Sequence, residues 1–471
     1  MEFKIGEIYY GFKCSEYENI EDIKSRGYIF KHEKSGAELM VLNNSDENKA
    51  FALCFRTPVT DSTGVPHILE HSVLNGSRKF KIKDPFAEML KTSLASFINA
   101  FTFPDKTMYP VASKNEKDLL NLMDIYLDSV FFPLLTKETF LQEGWHYDIK
   151  SREDSLKYKG VVYNEMKGVF SSPDSVADKL RNRVLLSETS YKYVSGGAPE
   201  EIPSLTYEAF KEYHKKYYHP SNCKMIIYGN CNVEKYLEFI DSGYLSKFDE
   251  IDVKSEIGIQ KRYDSIEDIV GTYPVSKEES LENKCYILKS YLLDEVKDRK
   301  KDLSFSILST ILSELDSSPL RRAVIESGIG EAMYGGEYNN YIREGVYDIG
   351  VRGCNLGADN SAVKKFNEII EKKLLELSEN GIDKKLVTAA INRNEFILRE
   401  ANFGDFPKGI VYFIEAMRSW LYNGHPFDSL RFEKTLEEIK QEAEQGYFEN
   451  LLKKYFLRNG NKVTIELKSN N

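Results

Sequence analysis

The chain has only seven histidines in 471 residues, and two of them stand four apart with a glutamate between. The segment Gly64-Val65-Pro66-His67-Ile68-Leu69-Glu70-His71-Ser72-Val73 reads as a helix. Pro66 suits the first turn, and Val65, Ile68, Leu69 and Val73 supply an apolar face. Helical spacing turns His67 and His71 the same way, so their imidazoles can share one metal ion. Glu70 then lies beside that ion without needing to bind it. From there it can take a proton from an activated water and pass it to a leaving amine. The order HxxEH inverts the HExxH metallopeptidase motif. At this histidine frequency a chance match is on the order of one in a hundred. The competing reading is a solvated helix face.

A catalytic zinc site needs a third protein ligand and keeps one position open. The six cysteines (14, 54, 223, 231, 285 and 354) are scattered without a CxxC pair and read as free, mostly buried thiols. His32, His146, His214, His219 and His425 have no metal-like context. A carboxylate is therefore expected, and Glu165 in Gly160-Val-Val-Tyr-Asn-Glu-Met-Lys-Gly168 is the best placed. An acid in an apolar stretch bounded by glycines would be costly to bury unpaired, and metal ligation removes that cost.

HxxEH followed by a distant Glu in GVVYNEMKG resembles the pitrilysin/insulinase family of zinc metallopeptidases, in its presequence-protease-like branch. Phe97-Ile-Asn-Ala-Phe-Thr-Phe-Pro-Asp-Lys-Thr-Met-Tyr-Pro-Val111, Gln142-Glu143-Gly144-Trp145 and Tyr218-His-Pro-Ser-Asn222 match the same pattern. The resemblance implies that His67, His71 and Glu165 hold one Zn2+ per chain, and that Glu70 is the general base. It also implies that Asn99 and Ala100 form a strand edge for the substrate backbone, and strand addition gives main-chain affinity with little sequence demand. Glu143 and Trp145 read as structural. The wider family often has an orienting acid seven residues before the distal ligand; here that position is Tyr158, so any orienting partner is open.

The elements around these residues repeat. Lys215-Lys-Tyr-Tyr218 leads through a turn to the strand Met225–Tyr228, and Lys453-Lys-Tyr-Phe456 leads through a turn to Val463–Leu467. The offset is 453 − 215 = 238, about half the chain. Glu38–Leu42, Ala50–Phe55 and Cys285–Leu293 read as strands. Asp84-Pro85 reads as the cap and first turn of a helix running to about Ile98. Thr206–Tyr218, Leu303–Leu315 and Ala362–Leu377 also read as helices. Met333–Gly353, with Tyr334, Tyr338, Tyr341 and Arg343, reads as strand and turn. The fold class expected is α+β: two homologous α/β units, each a mostly antiparallel sheet covered by helices. Residues 1–248 form the zinc-binding unit, and 249–471 a degenerate copy in which position 305 answers to 67 without a histidine.

A net charge of −10 argues against a general nucleic-acid binder. No run approaches the roughly 18 apolar residues of a membrane span. The start lacks the pattern of a secretory signal, so a cytoplasmic location is expected. The expected function is that of a zinc endopeptidase, hydrolysing short unstructured peptides by attack of a zinc-bound water with Glu70 as base. The alternative is a catalytically incomplete peptide-binding or assembly subunit of the same fold. Full-length members of the resembled branch have four such units in two halves that close like a clamshell. The expected partners are therefore an oligopeptide and a C-terminal half or partner subunit, with no nucleic acid and no membrane.

Overall fold

The computed structural model describes residues 2–82, 85–278, 280–355 and 361–470. In chain order the first part contains β1 (Ile8–Tyr9), β2 (Phe12–Ile20), β3 (Ser25–His32), β4 (Glu38–Asn43), β5 (Lys49–Arg56), α1 (Val65–Val73), α2 (Pro85–Thr92), β6 (Ala95–Ile98), β7 (Phe101–Thr102) and β8 (Lys106–Ser113). Then follow α3 (Glu116–Phe131), α4 (Lys137–Glu143), β9 (His146–Asp148), β10 (Lys157–Lys159), α5 (Val161–Val169), α6 (Pro173–Leu185), α7 (Tyr207–Tyr217), β11 (Cys223–Gly229) and α8 (Val233–Gly243). One sheet runs β1-β2-β3-β4-β11-β5-β8-β6, with β7 also on β8. β11 lies parallel to β4 and antiparallel to β5. Leu39–Leu42, Phe51–Phe55 and Met225–Tyr228 are buried throughout. Central strands covered on both faces need such continuous apolar runs rather than alternation.

The second part contains β12 (Ile269–Pro274), β13 (Cys285–Glu295), α9 (Arg299–Ser309), α10 (Pro319–Glu326), β14 (Ala332–Asn339), β15 (Glu344–Cys354), α11 (Ser361–Asn380), α12 (Lys384–Glu400), α13 (Lys408–Trp420), α14 (Glu433–Ala443), α15 (Tyr447–Leu452) and β16 (Lys462–Asn470). Its sheet runs β12-β16-β13-β15-β14, with β16 parallel to β12 and antiparallel to β13. This is the order and sense of β4-β11-β5-β8-β6. In each sheet a late strand that follows a helix and a turn slots between the first two strands of the motif. The sequence repeat at offset 238 marks that shared closing element. One face of the second sheet packs Phe305, Leu308, Ile311, Leu312, Phe366 and Phe456 into a common core.

By contacts, one compact unit comprises residues 1–168, 193–257 and 402–430, and the other 169–192, 258–401 and 431–471. Packing therefore does not follow a single cut after residue 248. α6 belongs to the second unit. There Ala177 joins Leu288, Ile465 and Leu467, and the buried Arg181 bridges Asp178 (2.8 Å) and Asp348 (2.5 Å). α13 belongs to the first unit, where Trp420 Nε1 donates to Glu38 (3.0 Å) and the Tyr422 hydroxyl donates to Asp105. All seven histidines fall in the first unit.

Two expectations are adjusted. The helix opening at Pro85 stops at Thr92, and Ala95–Ile98 is strand. Asp118 ends it, taking the Ser93 hydroxyl (2.9 Å) and the Leu94 amide (3.3 Å) and turning the chain onto β8. Asp84, expected to cap it, lies outside the described residues. α9 begins earlier than expected because Asp298 caps it, accepting from the Lys301 amide, and it continues as a π-helical turn over Thr310–Glu314. Met333–Gly353 is the β14–β15 hairpin, as expected. Four of the six free cysteines are buried and two are half-buried. Among the described residues no helix is long and apolar enough to cross a membrane.

Two glycines bring α1, α4 and α5 together. A Cβ on Gly160 would lie 2.0 Å from the Gly144 carbonyl oxygen, so the chain before α5 crosses directly over the end of α4. A Cβ on Gly144 would in turn meet the Phe140 carbonyl at 2.8 Å and Ile68 of α1 at 3.3 Å. Neither backbone obstacle is the flexible end of a side chain. Gly160→Ala should therefore destabilise the protein by about 3 kcal/mol or more, read as a lower denaturation midpoint; a midpoint unchanged from wild type would show that the crossing relaxes.

His214 on α7 gives a second prediction. Burial lowers its pKa from 6.5 to about 4, against a smaller opposing effect of its hydrogen bond to the Val130 carbonyl (3.0 Å). Between pH 6.5 and 4 the unfolded chain takes up a proton that the folded chain refuses. Stability should thus fall as pH drops through that window, by about 3 kcal/mol, and flatten below it. Denaturant titrations of wild type and His214→Gln across the window should show a shallower slope for the variant; equal slopes would contradict the assignment.

Candidate active site

α1 starts where Gly64 adopts φ +72°, and a side chain there would strike the Gly196 carbonyl oxygen at 2.7 Å. Val65, Ile68, Leu69 and Val73 are buried, as the apolar face requires. His67 and His71 project from the same side, with ring centroids 5.0 Å apart. Glu165 reaches both from α5: its Oε2 lies 3.7 Å from His67 Nε2 and 3.8 Å from His71 Nε2. One donor atom from each of the three lies within 4.8 Å of the others. Ligands about 2.1 Å from a tetrahedral ion sit about 3.4 Å apart, so this cluster needs only a small contraction to hold one. Among the described residues it is the one such group of three.

Both imidazoles present Nε2 inward because Nδ1 is occupied. His67 Nδ1 lies 3.0 Å from the Gly196 carbonyl, and His71 Nδ1 lies 3.3 Å from Glu143 Oε2. An Nδ1–H donated to an acceptor leaves Nε2 with a free lone pair, the tautomer that a metal requires. Burial opposes the charged form of His71, but the hydrogen bond to Glu143 and the charges of Glu70, Glu143 and Glu165 outweigh it and raise its pKa. Burial likewise opposes the charge on Glu143, yet its bonds to His71, Gln142 and Asn75 hold its pKa below the usual value.

Glu70 faces the same space. Its Oε2 accepts from Thr102 Oγ1 at 2.8 Å, which fixes the carboxylate and leaves Oε1 for another partner. A cavity of about 310 Å3 is lined by Glu70, His71, Asn75, Asn99, Ala100 and Glu143, among others. Asn99 and Ala100 lie between β6 and β7 at the sheet edge. Their backbone is already engaged: the Asn99 amide donates to Pro110, the Asn99 carbonyl accepts from the Tyr126 hydroxyl (2.9 Å), and the Ala100 amide donates to Asn99 Oδ1 (2.9 Å). Burial and then the nearby Glu70 charge raise the Tyr126 pKa, so its hydroxyl stays a donor.

One premise of the sequence reading is corrected. Glu165 is not buried; its side chain is 49% exposed. Within the stretch Gly160–Gly168, Val161 is 44% exposed, while Val162 and Met166 carry the packing. The remaining histidines have ordinary structural partners. His32 lies between Ser35 and Asp241, His146 bonds the Leu141 carbonyl, His219 bonds Ser221 and His425 bonds Glu16. Trp145 donates to the Leu205 carbonyl, a structural role. Sequence reasoning missed three supports of the site: Thr102, the Gly196 carbonyl and the orienting bond from Glu143. Two of them lay in quoted motifs, Glu143 in Gln142-Glu143-Gly144-Trp145 and Thr102 in Phe97–Val111, but neither motif showed the contact.

Comparison with known proteins addresses the same stretch. Residues 57–166 match the family described as "Insulinase (Peptidase family M16)", and residues 204–394 match "Peptidase M16 inactive domain". "Protein HypA" of Clostridium perfringens is 46% identical over 99% of this chain and 48% of its own length. "Presequence protease 1, chloroplastic/mitochondrial" of Arabidopsis thaliana is 41% identical over 97% of this chain and 43% of its own length. The chain thus spans about half the length of the curated relatives it matches. Among solved structures, a protease from Helicobacter pylori superposes with TM-score 0.67 at 16% identity, covering 94% of this chain and all of that one. Pitrilysin superposes with TM-score 0.65 at 16% identity, over 97% of this chain and 46% of its own. The first match contains α1 and reaches Glu165 on α5, the second spans β13 to β15, and the relatives align along nearly the whole chain: the chain belongs to the insulinase (M16) family of peptidases.

Proposed function

We propose that this chain is the zinc-holding, water-activating part of an endopeptidase that cleaves short unstructured peptides. The observation that carries the reading is the convergence of His67 Nε2, His71 Nε2 and a Glu165 oxygen beside a cavity that Glu70 and His71 line. Two neutral imidazoles and a carboxylate suit zinc. Bound there, it would supply Lewis acidity, lowering the pKa of a neighbouring water and polarising a carbonyl.

The chain's own residues do the rest. His67 and His71 act as neutral donors because Gly196 and Glu143 take their Nδ1 protons. Glu70, pinned through Oε2 by Thr102, accepts a proton from the attacking water at Oε1 and returns it to the leaving amine. The substrate backbone runs along the edge at Asn99 and Ala100. For Ala100 to donate to it, the Asn99 side chain must swing off the Ala100 amide, so a bound peptide replaces a bond the free edge makes with itself.

The alternative is a catalytically incomplete peptide-binding or assembly subunit of the same fold. It is favoured by the length comparison: the relatives carry as much chain again. We place that further chain, or a partner subunit, as the second half of the working enzyme.

Metal analysis should find one zinc per chain in wild type and none in His71→Ala; zinc retained by that variant would remove His71 from the ligand set. A quenched peptide should be cleaved by the complete assembly, with a rate about 10²–10⁴-fold lower in Glu70→Gln at unchanged zinc content. Full activity in Glu70→Gln would assign the base elsewhere. Peptide bound by a zinc-loaded assembly but never cleaved would favour the binding-subunit reading.

A further inference from the structure

The two imidazoles of the site are supported unequally. His67 leans on a neutral acceptor, the Gly196 main-chain carbonyl, at 3.0 Å. His71 leans on a carboxylate. Glu143 is the last residue of α4, and its side chain is 7% exposed. A carboxylate so buried must be satisfied, and it is: Oε2 faces His71 Nδ1, while Oε1 accepts from Asn75 Nδ2 (3.0 Å) and Gln142 Nε2 (2.9 Å). Asn75 Nδ2 also lies 3.3 Å from the His71 carbonyl, so the network grips both the ring and the backbone of the same residue. It occupies the role for which position 158 holds only a tyrosine. That tyrosine instead packs edge-on against Trp145 and Tyr163 and tilted against Tyr147.

We propose that Glu143 is the positioning residue for His71: through the Asn75–Glu143–Gln142 network it fixes the ring plane and the Nδ1–H tautomer, and makes His71 the stronger of the two nitrogen donors to the metal. This rests on the metal-holding reading above. A carboxylate behind a ligating imidazole raises the basicity of the facing nitrogen, and loss of such a partner typically weakens metal binding 10–100-fold. A glutamine at the same place retains an acceptor oxygen but not the charge. It separates orientation from charge, and it keeps the volume of a buried site.

Two measurements test this on the full chain. Zinc affinity, read by competition with a chromophoric chelator, should fall about 10–100-fold in Glu143→Ala and by a smaller factor in Glu143→Gln. The cobalt-substituted protein should show an altered visible spectrum in the alanine variant, which a purely structural residue would not cause. In the metal-free protein, nitrogen NMR of His71 should report the Nδ1–H tautomer in wild type and a mixture in Glu143→Ala. Should the alanine variant not fold, the glutamine variant carries both measurements. Affinity within twofold of wild type together with an unchanged tautomer would overturn the proposal. A wild-type chain with the predicted tautomer but no zinc binding would sink the metal reading and leave the positioning of His71 standing.

Discussion

The site depends on the place where the backbones at Gly144 and Gly160 touch. No side chain fits between them, and the contact sets the distance between the end of α4 and the start of α5. Glu143 precedes one of these glycines and Glu165 follows the other by five residues, on the first turns of α5. Gly144 is also pressed against Ile68 of α1, the residue next to His67. One steric constraint therefore fixes three helices at the spacing that lets two carboxylates address one imidazole from opposite sides, Glu143 at Nδ1 and Glu165 at Nε2. Close packing of this kind transmits small displacements. The reactive geometry is thus as rigid as the crossing behind it.

The donor set also has a gradient of exposure. His67 is almost fully buried, His71 is a quarter exposed and Glu165 is half exposed. The most buried donor is braced by a neutral carbonyl and the intermediate one by a charge. Burying a charge is costly unless it is hydrogen-bonded, and Glu143 meets that condition with three partners, His71, Asn75 and Gln142. Glu165, facing solvent, needs no such support and can adjust its reach.

How much of this was legible in the sequence follows from which forces are local. The HxxEH helix was readable because ligand spacing, apolar face and Pro66 all lie within ten residues. The central strands were readable because burial on both faces writes an unbroken apolar run. The end of α2 was not, because Asp118, two dozen residues away, captures Ser93 and Leu94 and overrides the local helix pattern. Glu165 was found for a reason that does not hold: its apolar, glycine-bounded stretch suggested burial, but Val161 and Glu165 itself face water. The orienting role of Glu143 was hidden because it rests on a contact across 72 residues. The repeat was visible only at its closing element. The shared strand order shows that it extends through both sheets, although the histidines stayed in one.

The exchange of segments between the units has a consequence for how the chain comes off the ribosome. A protein made of two successive blocks can fold its first block while the second is still being synthesised. Here the first unit includes α13, and Trp420 and Tyr422 anchor it to Glu38 and Asp105. Those partners are 382 and 317 residues apart. The sheet that carries the histidine helix must wait, part of its surface uncovered, until nearly nine-tenths of the chain has emerged, so vectorial synthesis and the native packing order run against each other in this fold.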